Sequence, residues 1–148
     1  MAYYADIYVI KKNRSKKDGL KFLNYFLPNR KESSDEYLIP QFSKKPIQTF
    51  HRAEDLMDFL ELHKNYAQAI YWSNSDNKNP NAHGMLFYTE DGCMIFGISR
   101  DMNEIKSNRK PEKCLEEMQE FLETNIGYIT YETPPEDTYE EFLNKIKK

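Results

Sequence analysis

The sequence is poor in cysteine and glycine, and it has no long hydrophobic run. Its 148 residues include two cysteines and five glycines. Two cysteines provide no disulfide framework, and the scattered glycines form no phosphate-binding loop. No window approaches the roughly 18 apolar residues of a membrane-spanning helix, and the first residues lack the basic region and apolar stretch of a secretion signal. We therefore expect a cytoplasmic protein that has no membrane segment and does not rely on disulfides.

The residues that are present have the composition of a folded protein. Hydrophobic residues make up 39% of the chain and charged residues 30%, with 11 tyrosines and nine phenylalanines. This content is too aromatic for a disordered chain, and the length suits one hydrophobic core. We expect a single domain over residues 1–148. Cys93 and Cys114 fall within apolar patterns and are predicted to be buried free thiols.

Charge is distributed unevenly along the chain. Residues 1–52 hold eleven Lys and Arg against five Asp and Glu, whereas residues 53–148 hold ten against nineteen. The basic cluster KKNRSKK at 11–17 is short, and no nucleic-acid-binding signature accompanies it. We therefore do not expect nucleic acid as a partner, and we interpret the cluster as a solvated turn between the first strand and the first helix.

Apolar residues at helical spacing predict four helices. The first follows Ser15 and stops before Pro28, the second covers 52–65, the third begins at Pro111, and the fourth lies near the C terminus. Their apolar faces carry Leu20, Leu23, Phe26 and Leu27; Leu56, Phe59, Leu60 and His63; Cys114, Leu115, Met118, Phe121 and Leu122; and Tyr139, Phe142, Leu143 and Ile146.

Runs of β-forming residues predict the strands. They lie at 3–10, 46–50, 67–72 and 127–132, with an irregular or edge strand at 37–42. The apolar run 85–98 is interrupted by Asp91-Gly92, which predicts a hairpin at the centre of the sheet. Together the elements predict an α+β fold, with a mixed or mostly antiparallel sheet and about four helices packed mainly on one face.

The stretch YWSNSDNKNPNAHG at 71–84 is predicted to form a long polar loop between two strands. Its Asn77, Asn79 and Asn81 have the alternate spacing of a calcium loop. However, Ala82 stands where such a loop needs glycine, and Tyr88 stands where it needs glutamate. The histidines and cysteines form none of the residue pairs of a zinc site. The sequence therefore predicts no metal site and no cofactor.

The leading hypothesis is a non-enzymatic module that binds another protein. Exposed aromatic residues beside small polar residues are typical of binding surfaces, and an acidic helix suits a basic partner. The predicted partner-binding residues are Tyr71, Trp72, Asn74, Asp76, Asn79, Glu116 and Glu120. Trp72 has two interpretations, because a tryptophan at the end of an apolar strand is either an interface anchor or a core residue. In broad character the chain is similar to immunity proteins, small acidic α+β inhibitors that neutralise a partner toxin.

Two alternatives stay open at this point. One is a small-molecule-binding protein or enzyme with a pocket near His83 and Tyr88, including a cysteine chemistry in which Cys93 meets His83 across the hairpin. The other is a structural or regulatory subunit whose sheet edge pairs with another copy, which would make the protein a homo-oligomer.

Overall fold

Eight strands and four helices follow one another along the chain in the computed structural model, which describes residues 3–102 and 110–147. The strands are β1 (Tyr4–Lys11), β2 (Arg30–Glu32), β3 (Tyr37–Ile39), β4 (Gln48–Phe50), β5 (Gln68–Asn74), β6 (Asn81–Tyr88), β7 (Met94–Asp101) and β8 (Gly127–Tyr131). The helices are α1 (Lys16–Phe26), α2 (Ala53–Leu62), α3 (Pro111–Leu122) and α4 (Tyr139–Ile146). This is the predicted α+β class, arranged as a single domain.

Six of the strands form one sheet in the order β2-β5-β6-β7-β1-β8, and each neighbouring pair is antiparallel. The remaining strands, β3 and β4, form a separate two-stranded ribbon. The hairpin of β6 and β7 occupies the two central positions, as the sequence predicts. Gly92 lies in its turn with a φ of 87°, a backbone conformation that glycine adopts without steric cost.

The two faces of the sheet are covered unequally. Successive side chains of a strand point to opposite faces, and the larger core forms where α1, α2 and α3 pack on one of them. This helix-covered face includes Phe22, Leu23, Phe26, Leu56, Met57, Leu60, Met118, Leu122, Ile70, Trp72, Leu86 and Phe96. The opposite face has a smaller cluster, in which Phe142 of α4 meets Tyr8, Ile10, Met85 and Ile95. The helices therefore pack mainly on one face, as predicted.

Residues at the helix ends explain where three of the helices begin. Ser15 is the N-cap of α1, and its side chain accepts a hydrogen bond of 3.1 Å from the backbone N–H of Asp18. Thr138 caps α4 in the same way, and Pro111 opens α3, where its missing N–H has no consequence. None of the helices in the described part of the chain has the length and apolar character needed to cross a membrane.

The strand β2 and the basic cluster at 11–17 differ from the prediction. The charged strand β2 has no apolar alternation, and it forms because its backbone pairs with β5. The basic cluster at 11–17 is also not a fully solvated turn, because Arg14 is only 4% exposed.

The guanidinium of Arg14 donates to four backbone carbonyls, those of Leu60, His63, Tyr66 and Thr89, at 2.6 to 2.9 Å. The last carbonyls of a helix have no partner within the helix, so Arg14 satisfies the end of α2 and joins it to the end of β6.

Candidate protein-binding site

The structure separates the aromatic pair that was predicted to support a binding loop. Tyr71 and Trp72 are consecutive residues of β5, so their side chains point to opposite faces of the sheet. Trp72 is 3% exposed and lies in the larger core, where it lines a cavity of about 370 Å³ together with Arg30 and Met57. Tyr71 is 43% exposed on the other face, with its ring 5.8 Å from that of Phe87. The core interpretation of Trp72 is therefore correct, and its ring is not accessible to a partner.

The polar loop is shorter than predicted, because β5 and β6 extend into it and leave only residues 75–80 as the connection. Its amide and carboxylate side chains bond to the loop's own backbone. Asn74 Oδ1 accepts from Asp76 N at 2.9 Å, Asp76 Oδ1 from Lys78 N at 3.0 Å, and Asn79 Oδ1 from Asn81 N at 2.9 Å. Such side chain to backbone bonds are the usual reason for Asn and Asp in turns. In this structure Asn74, Asp76 and Asn79 close the hairpin.

The predicted acidic residues lie elsewhere on the molecule. Glu116 and Glu120 are exposed on the outer side of α3, which packs over β1 and β8. The 75–80 connection belongs to β5 and β6, and β7 lies between β6 and β1 in the sheet. The predicted partner-binding residues therefore do not form one continuous surface.

His83 and Tyr88, the predicted ligand-binding residues, are also on opposite faces. Tyr88 is 3% exposed in the larger core, and burial raises the pKa of its phenol. The centre of its ring lies 5.2 Å from Cζ of the Arg14 guanidinium. His83 is half-buried on the α4 side, where its ring lies 5.7 Å from that of Tyr4. The structure does not bring these two side chains into one pocket.

A polar row nevertheless crosses the α4 side of the sheet. The strand register places Ser99 between His83 on β6 and Asp6 on β1. Asp6 accepts hydrogen bonds from the Ser99 hydroxyl and, at 3.1 Å, from Thr133 N, while burial raises the pKa of its carboxyl group. In a serine-based catalytic triad the histidine lies between the serine and the acid. Here serine is in the middle and its hydroxyl is directed to Asp6, so the row is not such a triad.

The cysteines provide no alternative chemistry at His83. Cys93 and Cys114 are 5% and 4% exposed, as predicted for buried thiols, and burial raises the pKa of the Cys93 thiol. Ser99 is the cross-strand neighbour of His83, and Cys93 lies six residues before Ser99. Six residues of a strand span about 20 Å, which separates Cys93 from His83. Cys93 and His83 therefore do not pair. Within residues 3–102 and 110–147, no three or more His, Cys, Asp or Glu side chains are grouped to hold a metal ion.

The most exposed large apolar side chain in the described part belongs to the loop between β3 and β4, residues 40–47. Phe42 is 87% exposed and Ile47 is 67% exposed. Lys44 and Lys45, between them in sequence, are also exposed. Burying a phenylalanine side chain stabilises a fold by about 1.5–3 kcal/mol. Because Phe42 stays in water, the fold does not gain this stabilisation.

Hydrogen bonds on both sides hold the 40–47 loop in place. Gln41 Nε2 donates to Ala69 O at 3.3 Å, and Gln41 Oε1 accepts from Ala69 N at 2.9 Å, so this amide pairs with β5 as a strand would. Ser43 N donates to Pro40 O at 3.1 Å, and Ile47 N donates to Ile39 O at 2.7 Å. These bonds fix the loop directly before and after Phe42.

Phe42 itself has a φ of 64°, in the left-handed region. This conformation costs a residue with a side chain about 1–2 kcal/mol, and it persists only where the surroundings fix it. The chain thus accepts a backbone cost and forgoes burial while presenting Phe42 to solvent. The sequence interpretation missed this residue because Phe42 closes the apolar stretch YLIPQF, which has the pattern of an irregular strand.

Comparison of the chain with protein-family models, with curated proteins and with solved structures finds no match.

Proposed function

We propose that this chain is a non-enzymatic protein-binding module that inserts Phe42, supported by Ile47, into an apolar pocket of its partner. The observation that supports the proposal is the 87% exposure of Phe42 in a loop held by hydrogen bonds on both sides. Single exposed apolar residues are common on protein surfaces. Phe42 differs because the fold fixes it outward in a strained backbone conformation.

A fixed loop favours binding for two reasons. Large side chains that fill a desolvated pocket supply most of the free energy of many interfaces. A loop that is already ordered loses little conformational entropy when it binds. The exposed Lys44 and Lys45 add positive charge beside the anchor, so the pocket that suits this loop has an acidic rim.

We further propose that the partner is a toxin, which this chain inhibits in the bacterial cytoplasm in the manner of an immunity protein. The support is the overall character of the chain: a small α+β domain with a net charge of −3. Glu116 and Glu120 on α3 provide an acidic surface for a basic region of such a partner, separate from the 40–47 loop.

Site-specific photo-crosslinking in the source cell tests the binding site. A photoreactive phenylalanine analogue replaces Phe42 in one variant and Tyr25, which is 57% exposed on α1, in a matched control. We expect one discrete protein to crosslink from position 42 and not from position 25. Equal crosslinking from both positions, or none from position 42, would contradict the proposal.

The inhibitory role has its own test. The protein crosslinked from position 42 is expressed alone and together with the wild-type chain or the Phe42→Ala variant. We expect its expression alone to arrest growth, the wild-type chain to restore growth, and Phe42→Ala to restore it poorly. A binding partner that is harmless when expressed alone would leave the binding module standing and refute the inhibitor.

A further inference from the structure

The six-stranded sheet has two edges, and only one of them is closed. At the first edge, β2 is three residues long and fully charged or polar in sequence (RKE), and β5 is further bonded by Gln41 and by Ser33, whose N–H donates to Tyr71 O at 3.0 Å. Short, charged and covered edges are the usual protection against pairing with another chain. At the second edge, β8 is five residues long, has the sequence GYITY and carries no charge.

The hydrogen-bond alternation shows which groups of β8 point away from the sheet. Ile10 N donates to Ile126 O at 3.1 Å, and Met102 N donates to Tyr3 O at 3.1 Å. Because bonding alternates along an antiparallel strand, the even-numbered residues of β1 bond to β8 and the odd-numbered residues bond to β7. The backbone groups of Gly127, Ile129 and Tyr131 therefore face outward.

Most of these outward backbone groups make no hydrogen bond within the described part of the chain. In the described part of the chain their only partner is Thr133, whose hydroxyl donates to Tyr131 O at 3.1 Å. Five of the six outward N–H and C=O groups thus have no partner among residues 3–102 and 110–147. Tyr131 is itself 54% exposed at the end of the strand.

We propose that a second copy of this chain adds to β8, antiparallel and about a two-fold axis at Ile129. In this register Ile129 pairs with Ile129 of the second copy, and Gly127 pairs with Tyr131 of the second copy. All three outward residues then lie in hydrogen-bonded pairs. The two sheets join into one of twelve strands.

The strand is its own complement, which favours a second copy over another partner. A two-fold axis places equal lengths of β8 opposite each other, and the uncharged strand brings no like charges into direct opposition. Glu132, the first charged residue after β8, falls opposite Ile126 of the second copy in this register. A self-complementary patch of this kind is what a two-fold interface requires.

The helix beside β8 gives the association a recognisable salt dependence. Because α3 packs over both β1 and β8, and strands are about 4.8 Å apart, the α3 helices of the two copies lie about 10 Å apart, near the usual packing distance. Their exposed carboxylates, including Glu112 and Glu116, then repel each other across the axis. Salt screens such surface charges, so the dimer is expected to tighten as the salt concentration rises.

Sedimentation of the full chain, with Tyr131→Pro and Tyr131→Ala as a matched pair, tests the interface. Proline removes the outward N–H of residue 131 and leaves the bonds from β8 to β1 intact, whereas alanine keeps that N–H. We expect concentration-dependent dimers of the wild-type chain between about 1 μM and 1 mM, with stronger association at 0.5 M than at 0.05 M NaCl, and Tyr131→Pro at least tenfold weaker than Tyr131→Ala. Thermal melts check that both variants are folded.

Amide exchange gives a second readout at single residues. Exchange of the Ile129 and Tyr131 amides should slow as the protein concentration rises, while Tyr128 and Thr130, already bonded to β1, should not change. A monomer at all concentrations, or equal association of the two Tyr131 variants, would overturn the proposal. Phe42→Ala should dimerise like the wild type, so failure of this inference is distinct from failure of the binding site at Phe42.

Discussion

Trp72 and Tyr71 show how much a single step along a strand decides for a residue. The two aromatic side chains are neighbours in sequence, yet one is 3% exposed between the sheet and the helices and the other is 43% exposed on the opposite face. Burial removes Trp72 from any role as a surface anchor. The indole is part of the packing that joins β5 to α1 and α2.

The matched pair Trp72→Ala and Tyr71→Ala measures this difference. We expect Trp72→Ala to reduce the free energy of unfolding by about 3–5 kcal/mol, because truncation of a core aromatic leaves a cavity. Tyr71→Ala should cost less than about 1.5 kcal/mol, since its side chain is already half in water. Urea unfolding followed by circular dichroism gives both values. Equal losses for the two variants would contradict the assignment of Trp72 to the core.

The sequence did not decide between the two interpretations of Trp72. The run AQAIYW combines apolar and aromatic residues without polar alternation. Its pattern therefore does not show which side chains face the core and which face solvent. Phe42 was missed for the opposite reason, because its exposure depends on Gln41 bonding to Ala69, a contact between positions 28 residues apart. Long-range contacts of this kind have no local pattern.

At the level of elements, helices were more predictable than strand ends. The Ser15 cap, Pro111 and the apolar stripes have local causes, and all four predicted helices form. The ends of β5 and β6 are different, because Asn74 and Asn81 join strands through hairpin closure and not through hydrophobic pattern. The strand β2 likewise depends on an available edge of β5.

Closure of the β5–β6 hairpin can be tested with two asparagines of the same loop. Asn79 Oδ1 accepts from Asn81 N at 2.9 Å, whereas Asn77 is exposed and makes no side-chain hydrogen bond in the described part. We expect Asn79→Ala to cost about 0.5–1.5 kcal/mol of unfolding free energy, the net value of one hydrogen bond, and Asn77→Ala to cost almost nothing. Thermal melts of the two variants compare them directly. A larger effect at Asn77 would show that this loop is held differently.

At the scale of the whole molecule, the sheet is most stable at its centre. β6 and β7 are bonded on both sides, their inner residues Leu86, Phe96 and Ile98 are fully buried, and helices cover both faces beside them. The sequence predicted this position correctly, because uniformly apolar strands are buried on both faces.

Native-state amide exchange tests the prediction for the whole sheet. We expect the slowest amides at residues 85–88 and 94–98, since their exchange requires global unfolding. Amides of β2 and of the β3–β4 ribbon should exchange faster, because these short strands open without disrupting the core. Fast exchange throughout the central hairpin would contradict the observed strand order.

The position of β1 has a consequence for synthesis of the chain on the ribosome. β1 is made before the other strands of the sheet, yet it pairs with β7, whose first residue is Met94, and with β8, which begins at Gly127. At roughly 5–20 residues per second, several seconds pass before either neighbour emerges, and the apolar strand YADIYVIK stays unpaired during that time. The β5–β6–β7 segment can form from consecutive hairpins as it emerges. The backbone N–H and C=O groups of β1 therefore stay without their sheet partners on the nascent chain until β7 emerges.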